Sequence, residues 1–63
     1  MLKVGDLAKI MTPFSLWGVR WESGTPCIVV YKLKSAEPEK IWRVMIPDGS
    51  FTLFDEHEIL RIT

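Results

Sequence analysis

Apolar and polar residues alternate in short runs along this chain, and the runs break at glycines, prolines and brief acidic stretches. Alternation with period two is the signature of β-strands with one buried face. Residues 40–63 show it most plainly. An apolar-alternating run ends at Ile46, Pro47-Asp48-Gly49-Ser50 follows, then Phe51 to Phe54, then Asp55-Glu56-His57-Glu58, then Ile59 to Ile62. Asp48-Gly49 between two apolar runs predicts a two-residue hairpin turn, because both residue types tolerate positive φ. Pairing Pro47 with Ser50 sets Ile46 opposite Phe51 and Val44 opposite Leu53. One face then holds Trp42, Val44, Ile46, Phe51 and Leu53, with burial worth roughly 1.5–3 kcal/mol per large side chain. Ile41, Arg43, Met45, Thr52 and Phe54 fall on the other, and Arg43 faces Phe54 as an exposed cation–π pair. Asp55 to Glu58 reads as one turn of 3₁₀ helix capped by Asp55, and Ile59 to Ile62 as the last strand.

Pro26 to Lys34 is the longest predicted strand, rich in the β-formers Ile28, Val29, Val30 and Tyr31. Alternation places Cys27, Val29, Tyr31 and Leu33 on one face and Ile28, Val30, Lys32 and Lys34 on the other. Ser35 to Glu39 is a polar loop in which Pro38 cannot donate to a ladder. Upstream, Gly5-Asp6 bends the chain into a first strand over Leu7 to Met11, with Leu7 and Ile10 as core candidates. Thr12 to Thr25 is irregular: Pro13 interrupts pairing, and a second strand is expected only at Gly18 to Glu22. There Trp17, Val19 and Trp21 share one side and Arg20 the other.

Sixty-three residues allow one domain, spanning 1–63, near the lower limit for a self-sufficient hydrophobic core. A lone cysteine, Cys27, excludes an internal disulfide. With a single histidine beside it, a structural zinc site lacks ligands, so no metal or cofactor is expected. Eight basic and eight acidic residues cancel, whereas non-specific nucleic-acid binders carry a positive excess. Neither a leader peptide nor an apolar run of membrane-spanning length is apparent. The expectation is a protein of a cell interior or an assembled particle, with no membrane contact and no small-molecule ligand.

Val4-Gly5-Asp6-Leu7, Trp17-Gly18-Val19, Asp48-Gly49, Phe54-Asp55-Glu56 and Ile59 to Ile62 together resemble the pattern of a Src-homology-3-like (SH3-like) barrel. More narrowly, they resemble the short barrel proteins of tailed bacteriophages, cyanophages among them. The resemblance covers nearly the whole chain and implies an all-β, five-stranded SH3-like barrel with a 3₁₀ turn before the last strand. It implies location in the host cytoplasm or the virion, and no activity. Similar barrels bind peptides, RNA or ribosomal protein, or decorate virions, and fold alone does not choose among these.

Four sets of residues merit weighing. His57 among Asp55, Glu56 and Glu58 could form a weak metal or acid–base site, but a solvated acidic turn explains it more simply. Cys27 opens an apolar strand and reads as a small buried hydrophobe rather than a thiolate. Trp42 is expected in the core. Phe14, Trp17, Trp21 and Phe54 are the aromatic candidates for a protein-binding surface, Trp being enriched at interface hot spots. Lys32, Lys34, Lys40 and Arg43 would cluster at one hairpin tip as an alternative, KOW-like nucleic-acid surface, although Glu37 and Glu39 share that loop. No phosphate-cradling glycine loop, acid–base pair or cofactor motif is visible, so the sequence points away from an enzyme. It points toward a module that binds a phage or host protein, with nucleic-acid binding or a structural virion role as alternatives.

Overall fold

The computed structural model describes residues 2–33 and 41–62, and their fold is all-β. In chain order the strands are β1 (Leu7–Ile10), β2 (Phe14–Leu16), β3 (Val19–Trp21), β4 (Thr25–Lys32), β5 (Ile41–Met45), β6 (Phe51–Asp55) and β7 (Ile59–Arg61). A 3₁₀ turn, Glu56–Glu58, joins β6 to β7. Five strands form one antiparallel sheet in the order β6-β5-β4-β1-β7, and β2 pairs with β3 as a separate hairpin. The all-β expectation is met, but the described strands number seven, in a five-stranded and a two-stranded sheet, and the larger sheet is open rather than a closed barrel, with β6 and β7 at its edges.

The core follows from the alternation along each strand. Ala8 and Ile10 of β1, Cys27 and Val29 of β4, Trp42 and Val44 of β5, Phe54 of β6 and Ile59 of β7 point to one side of the sheet, joined by Leu2 and Ile46. Phe14, Leu16 and Trp21 of the separate hairpin pack against them. Leu7, expected in this core, lies instead on the other face with Ile28, its partner across the ladder.

Two turns decide which residues face in. At the first bend, Gly5 takes φ +93° and donates to the Val29 carbonyl at 2.7 Å, while Asp6 accepts from the Lys3 N–H. The β5–β6 loop departs from expectation. Gly49 N–H donates to the Ile46 carbonyl and Ile46 N–H to the Ser50 carbonyl, both at 2.9 Å. The loop is therefore three residues, Pro47-Asp48-Gly49, with positive φ at Gly49 alone. Proline suits the position after Ile46, and glycine the left-handed one that closes such loops. Asp48 Oδ1 accepts from Ser50 N–H at 2.8 Å and locks the turn.

One extra loop residue slips the register by one, and a slip by one turns a strand over. Met45 pairs with Phe51, Val44 with Thr52, Arg43 with Leu53 and Trp42 with Phe54. Phe51 and Leu53 are therefore half-exposed, while Phe54 is 8% exposed and part of the core. The predicted Arg43–Phe54 pair does not form. Arg43 instead lies 4.8 Å from the centroid of the Phe51 ring.

Candidate functional site

The segment expected to be least regular contains a tight hairpin. Phe14 pairs with Trp21, Ser15 with Arg20 and Leu16 with Val19, which leaves Trp17-Gly18 as a two-residue turn. Both turn residues have positive φ, 53° at Trp17 and 76° at Gly18, the geometry of the mirror-image turn that suits the twist of a hairpin. Glycine meets that demand at no steric cost; tryptophan does not, since an L-residue there crowds its Cβ against the following carbonyl. Trp17 is nevertheless 83% exposed, with Val19 half-exposed beside it. This is the one non-glycine residue with positive φ among those described.

The other aromatic candidates separate from Trp17. Phe14 stacks on Trp21, with centroids 6.1 Å apart and planes 8° from parallel, and meets Phe54 edge-on at 5.1 Å. Phe54 in turn sits opposite Trp42, which is 5% exposed. The rings of Phe14, Trp21 and Phe54 thus link the hairpin to the sheet, and aromatic pairs of this kind contribute about 0.5–1.5 kcal/mol beyond their burial. Phe54 lies in the core, because the three-residue turn rotates it inward. Phe14 and Trp21 are half-buried supports. The indole N–H groups of Trp21 and Trp42 are buried with no hydrogen-bond partner among the described residues.

The basic set is also divided. Lys32 pairs with Trp42 on the core side of the sheet, its ammonium 5.7 Å from the ring centroid. Arg43 pairs with Tyr31 and Leu53 on the opposite side. Consecutive strand residues point to opposite faces, so Lys32 and Arg43 do not make one patch. Lys34 and Lys40 lie outside the described residues, as do Glu37 and Glu39.

The acidic turn is a connector. Asp55 accepts from the His57 N–H at 2.9 Å, and Glu58 Oε1 accepts from the Asp55 N–H at 3.1 Å, a reciprocal capping box. The His57 ring reaches Asp55 Oδ1 at 2.9 Å but projects into solvent. Cys27 is buried, as its strand position predicts, and desolvation pushes its thiol up to about 11. Among the described residues, no three His, Cys, Asp or Glu side chains gather as a metal site, and no helix is long and apolar enough to cross a membrane.

Sequence reasoning missed the outer face of the sheet. Leu7, Ile28, Tyr31, Phe51, Leu53 and Leu60 are all large, apolar or aromatic, and 40–53% exposed there. A hollow of about 330 Å³ opens among Tyr31, Leu33, Arg43 and Leu53. A β-bulge between Val29 and Tyr31 helps make this face, since it moves Tyr31 off the side that Cys27 and Val29 occupy. Comparison with protein-family models, curated proteins and solved structures found no match to this chain.

Proposed function

We propose that the chain is a non-enzymatic, SH3-like protein-binding module of phage type, and that Trp17 is its anchor for a virion or host protein. The SH3-like reading is supported by five antiparallel strands, by a long aromatic excursion between β1 and β4, and by a 3₁₀ turn ahead of the last strand. The excursion is built differently from a peptide groove. Phe14 and Trp21, which could have lined one, stack on each other, and Phe14 meets Phe54 edge-on. What remains accessible is the hairpin tip.

The observation that carries the reading is the conformation of Trp17. A large side chain held in the left-handed region, on a turn where asparagine or glycine would fit without strain, contributes little to folding at 83% exposure. Strain of this kind is concentrated at sites where a side chain serves something other than the fold. Tryptophan also buries a large area on binding while losing few rotamers, which suits it to the centre of an interface.

The test compares the wild-type chain with Trp17→Asn as bait for proteins of its native source. Partners held by the wild type and lost by the variant, with circular dichroism unchanged, support the reading. An identical set retained by both removes Trp17 from the interface. A fluorescence-anisotropy titration of single-stranded DNA and RNA at about 50 mM salt serves as the counter-test, since low salt favours phosphate contacts. Binding there that survives Trp17→Asn would move the function to the basic residues.

A further inference from the structure

The outer sheet face carries a row of apolar side chains that crosses β6, β5, β4 and β1 and ends at Ile62, the residue after β7. Phe51 is paired with Met45, Met45 with Ile28, and Ile28 with Leu7. At the far edge the Ile62 N–H donates to the Leu7 carbonyl at 2.8 Å. Phe51, Ile28, Leu7 and Ile62 are each at least 40% exposed. A shallow hollow of about 200 Å³ adjoins the middle of the row at Leu7, Ile28 and Met45. Monomeric domains seldom leave so continuous an apolar surface in water, and a chain of this length has little core to spare.

We propose that this face is the interface of a two-fold symmetric homodimer. The largest section of the domain is 30 × 24 Å, which bounds any one face at the ~800 Å² that one partner contributes to a standard interface. The net charge is zero, so two copies do not repel one another. The sheet order places β4 at the centre. A two-fold axis along β4 therefore lays β5 of one copy over β1 of the other, and β6 over β7. Within the apolar row, Ile28 then meets its own counterpart, Met45 meets the second copy's Leu7, and Phe51 meets the second copy's Ile62. The two cations on this face are not set against each other. Arg43 falls toward the Gly5 bend of the second copy, and Lys9 toward its Pro47-Asp48 turn. The arrangement is isologous, as a two-fold contact requires, and it leaves both Trp17 hairpins free. The proposal is independent of what Trp17 binds.

Sedimentation equilibrium of the purified chain, from about 1 to 500 µM, tests it, together with thermal melts over the same range, because a dimer's midpoint rises with concentration. The expected result is a dimer. Ile28→Glu sets two carboxylates on the axis and raises the dissociation constant at least about a hundredfold. Leu7→Lys and Met45→Glu each weaken the dimer, and the double variant recovers it, because the axis brings position 45 of one copy to position 7 of the other. Tyr31→Lys, at a half-exposed position on the same face, stands in for any variant that fails to fold. Trp17→Asn leaves the dimer unchanged. A wild-type chain monomeric at 500 µM overturns the proposal, even if the face then captures a different protein. So does a dimer indifferent to both Ile28→Glu and Tyr31→Lys. A double variant no tighter than its parents overturns the proposed axis.

Discussion

Replacing Trp17 by asparagine should make the protein more stable while removing its anchor. The left-handed conformation costs an ordinary L-residue roughly 1–2 kcal/mol. Asparagine tolerates it far better, and Asn-Gly is the preferred pair for this turn. Against that gain stands whatever burial Trp17 contributes, which is small at 83% exposure. The difference favours the variant by about 1 kcal/mol. In a domain of this size that is about 4–8 °C in the melting midpoint. Chemical denaturation followed by far-UV circular dichroism gives the free energy directly, and an unchanged denaturant slope shows that the same surface is exposed on unfolding. A variant less stable than the wild type would refute the reasoning, for it would mean that Trp17 contributes more to the fold than its conformation costs.

Other substitutions test the register and the caps. Phe54→Ala should cost about 3–5 kcal/mol, enough to unfold the domain, whereas Leu53→Ala next to it should cost under about 1 kcal/mol; denaturation midpoints that reverse this order would restore the two-residue turn. Gly49→Ala should cost about 1 kcal/mol or more, because Gly49 holds φ +89° with open space around it, leaving backbone strain as the sole penalty. Asp55→Ala removes the cap of the 3₁₀ turn and should lower stability by about 1 kcal/mol, again read by denaturation. The Cys27 thiol, raised from 9.0 to about 11 by burial, should resist a thiol-specific reagent at pH 8 until the protein unfolds. Because the unfolded thiol ionises first, the contribution of Cys27 to stability should be constant below pH 9 and be lost as pH rises toward 11, read as the stability difference between the wild type and Cys27→Ala; a difference that grows in the wild type's favour over that interval would contradict the burial of Cys27.

Much of the fold was legible where local chemistry acts alone. Alternation and β-branching mark β4, a short apolar run after the Gly5-Asp6 bend marks β1, and four polar residues between apolar strands mark the capped 3₁₀ turn. Cys27 and Trp42 were recognisable as core from their neighbours. The failures share a cause: each depends on a single backbone residue that composition does not reveal. Asp48-Gly49 is compatible with loops of two or three residues, and hydrogen bonds from Gly49 and Ile46 select the longer one, which exchanges Phe54 for Phe51 and Leu53 as core residues. The bulge after Val29 likewise moves Tyr31 outward. Trp17-Gly18 does not resemble a turn in sequence because tryptophan is a poor residue for one, and that mismatch is what makes the site informative. The outer face is not apparent in the sequence because Leu7 and Ile28 look like core residues until the register shows which side is covered.

The three-residue turn also bears on how this protein could change over generations. β6 is apolar on both sides, with Phe51 and Leu53 on one and Phe54 with Thr52 on the other. Loss of the single codon for Asp48, with the loop kept at three residues and closed by Gly49, would draw Ile46 into the turn, pair Met45 with Ser50 and turn the strand over. Phe51 and Leu53 would then occupy the interior, and Thr52 and Phe54 would be displayed outside. Few single events replace half of an exposed surface while keeping an apolar filling beneath it. In this chain the reading frame of one hairpin holds two alternative exteriors, one of them in use.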